Sequence, residues 1–424
     1  MVRFKIKSFI ASDGERFSQL YDSEQPGFPL FYPTAYIATS IRLKTTPATQ
    51  LVYLEAIKRV CEWQVRNSFD LTARFQSRQF LEPYEIDELA QYLSVARRGK
   101  RGETISASKG NTYIMYAADY LDWLANNAIK GADKPEIAQM IKTQKIRLTK
   151  KLAKKLGSVG AADQEILKKR LSEKARDQLI VLWKSPFNNL SYDADRGARL
   201  RNVVMLRILY ETGMRRGELL ALKIKHLKES TGGSIASLEI QRNHHDLYDT
   251  RVNQPVAKTM GRIVPITPEL EKQIFEYITE YRAAVPDVGF GDEDAIFVTH
   301  RRGRGQGRPL SISNFDQALR GLKKSYPGIG TTHPHLLRHD WNFRFSQHAD
   351  RKKIAPEKER EYRETLMGWC RDSDMSRRYN QRHIQQQSLS FGLTIAFDTE
   401  RPQSTSDETV LRASEIALQI AKVN

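Results

Sequence analysis

Cysteine is nearly absent: the 424 residues contain two, Cys61 and Cys370, far apart in the chain. A disulfide framework or a zinc module is thereby excluded as the organising device. No uninterrupted apolar run approaches the ~20 residues that span a bilayer. The start, MVRFKIKSF, alternates charged and apolar residues where a signal peptide would need an apolar core. The expected location is the cytoplasm. Negative charge is also in deficit, with 50 Asp and Glu against 68 Lys and Arg, for a formal net charge of +18. Such an excess strains the chain by self-repulsion and points to a polyanionic partner, most often nucleic acid. An anionic membrane is the competing partner, but no polybasic stretch adjoins an apolar anchor.

What is present is a globular composition, 40% hydrophobic and 28% charged, in a chain long enough for two or three domains. Residues 1–46 form an extension of unassigned role. In it Val2, Phe4 and Ile6 alternate with Arg3, Lys5 and Lys7, which predicts a short half-buried strand, before PGFPLFYP breaks regular structure. Residues 47–130 read as a small all-helical domain. Leu51, Leu54, Ile57 and Cys61 recur at helical spacing up to about Asn67. A second helix is predicted from Pro83 to Ala96, and a third, after the basic turn RRGKRGE, from Asn111 to Asn127.

Residues 131–170 form a basic linker (KTQKIRLTKKLAKK, then KKRLSEKAR), with Gly157 and Gly160 as its break. Two readings stand side by side: a solvated helical connection, or a strap along a phosphate backbone. Residues 171–380 are the last large unit. Arg201–Tyr210 is apolar almost all round and predicts a buried helix ending at Gly213, followed by a helix carrying Glu218, Leu219, Leu220 and Leu222. SLEIQR and GRIVPIT alternate as strands of a small sheet. Thr267-Pro268 and Ser313 open further helices. The Gly/Arg segment RRGRGQGR reads equally as a phosphate contact or a mobile surface loop. Residues 381–424 are a polar tail with a final amphipathic helix at about 407–423, which would need a groove in this molecule or a neighbour.

Arg215, Lys258, His335, Arg338, Trp369 and Tyr379 supply what cutting a phosphodiester without metal demands: positive charge, proton donors and a nucleophilic hydroxyl. Arginine suits phosphate because its fixed fork donates two parallel hydrogen bonds. His335 and Arg338 lie three apart in HLLRH and so share a helical face. Taken singly, each residue also has an ordinary reading: surface arginine, turn lysine, core aromatic. Their order and flanks carry the argument.

The strings LYETGMRRGELLAL, KTMGRIVPI, HPHLLRH and LMGW…RRY stand in an order that resembles the phage-integrase family of tyrosine recombinases. The resemblance covers most of 47–380 and is strongest over 201–380. It implies a mainly α (α+β) fold: an all-helical core-binding domain, then a mixed α/β catalytic domain with a small antiparallel sheet. It implies that Arg215 and Arg338 clamp the scissile phosphate, Lys258 on a β-turn protonates the leaving 5′ oxygen, and His335 assists proton transfer. Trp369 would buttress the site, and Tyr379 would attack phosphorus to give a 3′-phosphotyrosyl link. Because that link retains the bond energy, no metal or nucleotide cofactor is implied. Glu218 is expected to be structural and His339 to support the helix of Arg338.

The implied partners are double-stranded DNA, three further copies in a homotetramer on DNA, and accessory proteins for bending or directionality, with integration or excision of a mobile element as the outcome. The competing functions are a type IB topoisomerase or telomere resolvase with the same chemistry, a catalytically silent DNA-binding regulator, and a basic RNA-binding protein. Three departures stand out. Tyr379 follows Trp369 by ten residues (379 − 369) where the family usually has nine; RKKIAPEKEREYRE is an insertion expected to lengthen a helix; and residues 1–46 lack a clear counterpart to an arm-site domain.

Overall fold

The computed structural model describes residues 3–97, 103–153, 171–190, 192, 195–371, 373, 388 and 391–395. It divides into two compact units: Met1–Gly157 with His244–Leu247 and Val252–Gln254, and Ser158–Asn243 with Tyr248–Arg251 and Pro255–Asn424. Among the described residues, no helix is long and apolar enough to cross a membrane.

In the first unit the alternating N-terminal residues form a hairpin of β1 (Phe4–Ile10) and β2 (Arg16–Asp22), antiparallel, with Phe4 opposite Asp22. Phe4 and Leu20 point inward and join the core of the helices that follow. Regular structure resumes earlier than expected, at α1 (Phe31–Tyr36), which runs into a π-helical turn. Pro33 is accommodated because it sits in a first turn, where the missing N–H is not needed. Next come α2 (Pro47–Arg66), α3 (Leu71–Gln76), α4 (Pro83–Ser94) and α5 (Ala107–Ala128). Residues 135–149 are not a free connection. They form α6 (Pro135–Thr149), which buries Ile137, Ile141 and Leu148 at helical spacing. Buried Gln144 on the same face accepts the Leu81 N–H at 2.9 Å. Residues 154–170 of the expected linker, including Gly157 and Gly160, lie outside the described residues.

The second unit is built around α8 (Arg196–Thr212), preceded by α7 (Glu173–Lys184). Val203, Val204, Met205, Leu206, Ile208 and Leu209 of α8 are all buried, as its nearly all-round apolar sequence predicts. A short α9 (Arg216–Leu220) leads to a three-stranded antiparallel sheet in the order β3 (Leu227–Lys228), β4 (Ser237–Ile240), β5 (Arg262–Pro265). Then follow α10 (Pro268–Glu276), α11 (Ile312–Ser325), α12 (Pro334–Arg351) and α13 (Pro356–Met367). The fold is thus mainly helical with a small antiparallel sheet.

Two local expectations change. The cap of α11 is Ser311, whose Oγ accepts the Asn314 N–H at 3.1 Å, rather than Ser313. RKKIAPEKEREYRE does not lengthen one helix: α12 ends at Arg351, Lys353 takes φ +53°, and Pro356 begins α13. A proline biases its predecessor toward extended backbone, and Ala355 adopts ψ 142°. The amphipathic helix expected at 407–423 lies outside the described residues.

Candidate active site

Helix α8 must stop where the site begins. Its cap is Gly213 at φ +63°, where a Cβ would fall 2.8 Å from the Trp341 ring. A side chain there would suffer both the left-handed backbone and the ring. The Gly213 carbonyl is free to turn inward, and it accepts from Arg338 Nη1 at 2.7 Å. Arg338, on the first turns of α12, is 1% exposed. Its guanidinium lies 5.5 Å from the centroid of the Trp369 ring, a cation–π distance. Trp369 itself is buried beside Met367 and packs against Trp341.

Arg215 sits in extended conformation at the N-cap of α9, and Glu218 at the third helical position reaches back to its N–H at 2.9 Å. This carboxylate organises the site from below. Its two oxygens also accept from Arg215 Nη1 (3.3 Å), Thr259 Oγ1 (2.9 Å) and Arg262 Nη2 (2.7 Å). Burial alone would raise the Glu218 carboxyl. The hydrogen bond and charge of Arg262, the Arg215 N–H and the charge of Arg338 outweigh it and hold the group down to about 2. Glu218 is therefore an anion beneath a cationic surface, which matches the structural role expected for it.

Lys258 lies exposed on the loop between β4 and β5. Its neighbour Thr259 bonds Glu218 and also receives Arg215 Nη1 at 3.3 Å, so the loop is tied to the arginine it follows in sequence by more than forty positions. The far end of the loop is fixed by the Met260 N–H donating to the Gly368 carbonyl at 3.0 Å. Gly217 allows close approach from the other side, since a Cβ there would meet the Val256 carbonyl oxygen at 2.8 Å.

His335 is exposed on α12, one residue after Pro334, and its Nε2 lies 3.0 Å from His339 Nε2. One ring must donate and the other accept, so the facing nitrogens share one proton. His339 thus contacts His335 directly, where the sequence suggested only support for the helix of Arg338. His333 caps α12 by accepting the Leu336 N–H at 3.2 Å on Nδ1.

Arg215, His335 and Arg338 line one cleft of about 440 Å³, and Trp369 packs against Arg338 from behind. Lys258 is not among the residues lining that cleft and reaches the group through Thr259. Tyr379 lies outside the described residues. Several cleft residues were not singled out from sequence: Arg216, Arg320, Lys323 and His333 on the wall, Thr259 and Arg262 in the support. The last two stand inside KTMGRIVPI, so the string held the signal; the α11 residues sit in no motif. Among the described residues, no group of three or more His, Cys, Asp or Glu side chains is placed to hold a metal. The cleft can bind an anion such as phosphate between two guanidinium groups held by a buried carboxylate and a backbone carbonyl.

The phage integrase family pattern matches residues 187–383. The chain is 23% identical over 272 residues to a tyrosine recombinase XerD of Oceanobacillus iheyensis, a match covering 61% of this chain and 83% of that protein. To a tyrosine recombinase XerC of Roseiflexus sp. it is 29% identical over 143 residues, 34% of this chain and 38% of that protein. A solved structure of the XerH site-specific recombinase bound to a palindromic difH substrate is similar at 18% identity and a TM-score of 0.49, over 82% of this chain and 80% of that one. Residues 187–383, which hold every site residue discussed above, match the phage integrase family, and the chain is a tyrosine recombinase.

Proposed function

We propose that this chain cuts and rejoins specific double-stranded DNA through a covalent bond to Tyr379, integrating or excising a mobile element as a homotetramer. The Tyr379 hydroxyl attacks phosphorus, the bond to the 5′ oxygen breaks, and Lys258 gives that oxygen its proton. His335 moves the proton from or to the tyrosine. Arg215 and Arg338 hold the non-bridging oxygens as charge grows on them. Trp369 supports Arg338 from behind. The reverse sequence, with a different 5′ hydroxyl as attacking group, rejoins the strand.

The single observation that carries this reading is the convergence of Arg215 with His335 and Arg338, more than a hundred residues away in sequence, on one cleft. A duplex-binding protein with no chemistry to perform has no need of that convergence. The test is a denaturing gel of the protein incubated without added metal on duplex DNA from the region surrounding its gene. A protein–DNA band that disappears in Tyr379→Phe is the expected result, and sequencing its end maps the cut. A band that survives in Tyr379→Phe assigns the nucleophile elsewhere. Relaxation of plasmids at no particular sequence would instead place the chain with topoisomerases.

A further inference from the structure

The cleft holds more positive charge than one phosphate requires. Beyond Arg215 and Arg338, Arg216, Arg320 and Lys323 line it. Arg216 is matched by Asp316 at 2.5 Å. Arg320 and Lys323 have no ion-pair partner among the described residues. They follow Asp316 on α11 by four and seven positions, so all three share one helical face, and that face is turned to the cleft. Beside them is His333. Its Nδ1 is occupied as acceptor of the Leu336 N–H, so the proton of the neutral ring is on Nε2, which remains as a donor. Burial, and then the charge of Lys323, keep that ring neutral by lowering its pKa, and burial lowers Lys323 as well. An exposed Arg320, a half-buried Lys323 and an N–H donor thus line one wall of the cleft, and its one carboxylate, Asp316, is already paired with Arg216.

We propose that Arg320, Lys323 and the Nε2–H of His333 form a second phosphate subsite, which grips the backbone phosphate next to the scissile one. The inference rests on the recombinase reading given above and deepens it. A duplex is held at its cut site only if the phosphate on one side is fixed in register with the one being attacked. A single pair of arginines fixes a point, whereas two phosphates fix a direction along the strand. Arg320, Lys323 and His333 are therefore positioning residues rather than catalytic ones.

The test uses the full chain with Arg320→Ala and Lys323→Ala combined, in two arms. In the first, duplex binding is measured against salt. The plot of log affinity against log salt should become shallower by about 1 in the double variant. The charge-keeping pair Arg320→Lys and Lys323→Arg should retain the wild-type slope, which separates lost charge from lost fold. This arm needs no known cut site, because a random 30-base-pair duplex serves as probe. In the second, a neutral methylphosphonate replaces the phosphate on one side or the other of the mapped cut. At one of those positions it should weaken wild-type binding by about tenfold and the double variant by less than about twofold, because the two changes remove the same contact. A wild-type salt slope in the double variant overturns the subsite, as does equal sensitivity of both proteins to the neutral linkages. Failure of the recombinase reading looks different: the wild-type protein then forms no covalent band at all, whatever the slope.

Discussion

Replacing Glu218 by glutamine isolates the support of the site from its surface. The carboxyl is 1% exposed and accepts hydrogen bonds from Arg262, Thr259, Arg215 Nη1 and the Arg215 N–H. Held at about 2 against an ordinary 4.5, its ionised form stabilises the native state by about 3 kcal/mol. Glutamine keeps the shape, removes the charge, and turns an NH2 toward groups that are themselves donors. Arg262, with a side chain 3% exposed, then loses its counter-charge. Breaking such a buried pair costs about 3–5 kcal/mol. The chain has two compact units, so a single melting curve would mix them. Hydrogen exchange followed by mass spectrometry reads α8 and β5 alone, and there the slowest amides should exchange on the order of 100-fold faster in Glu218→Gln at pH 7. The pH dependence has a definite sign. The stabilisation is fully present above about 4.5 and is lost as pH falls through about 2, so the wild-type protein should lose protection over that window and the variant should show no matching loss. An acceleration below about fivefold at pH 7, or wild-type protection that stays flat from 4.5 to 2, would refute the argument.

The remaining expectations concern geometry. Gly217→Ala places a methyl group 2.8 Å from the Val256 carbonyl oxygen, a backbone atom that cannot swing aside, so the loop bearing Lys258 must shift. Covalent-complex formation should fall on the order of 100-fold while duplex affinity stays within about twofold; equal loss of both would mean that the loop serves binding instead. His339→Phe keeps a ring beside His335 but removes the nitrogen at 3.0 Å. The loss of one hydrogen bond should slow cleavage by roughly tenfold and move its pH profile, with affinity unchanged. An unaltered pH profile would reduce His339 to a packing role.

Much of this site can be read from the chain because its pieces are local strings. Gly213 is legible as a helix end because the left-handed turn favours glycine, and Thr267-Pro268 is legible as a helix start because cap and proline are adjacent. Ser311 and Ser313 are equally good caps by composition. The choice falls to Ser311 because Leu310 is still pinned by its N–H to the Phe297 carbonyl, so the helix opens at the first serine beyond it. Long-range partnerships are where sequence reading stops. Nothing in GRIVPI says that Arg262 will reach a carboxylate forty-four positions upstream, and nothing in α11 says which face of Asp316, Arg320 and Lys323 meets the cleft. Those facts depend on how helices pack. The spacing of apolar residues sets which side of each helix is buried and leaves its neighbour unspecified. The same limit applies to α6, where Lys142, Lys145 and Arg147 draw the eye to a linker while three buried aliphatic residues decide its place.

The hydrogen bond from the Met260 N–H to the Gly368 carbonyl joins two stretches with opposite duties in the proposed reaction. Met260 lies near the end of the loop that carries Lys258, and Gly368 immediately precedes Trp369, which itself stands ten positions before Tyr379. Gly368 takes φ +65°, and a Cβ there would strike the Met260 carbonyl oxygen at 2.6 Å, so this crossing admits no slack. In mechanical terms the junction is a rivet. A displacement of Gly368 passes through its carbonyl to the Met260 end of the Lys258 loop. The stretch that leads toward the residue proposed to attack and the loop of the residue proposed to release the leaving group thereby meet at one hydrogen bond.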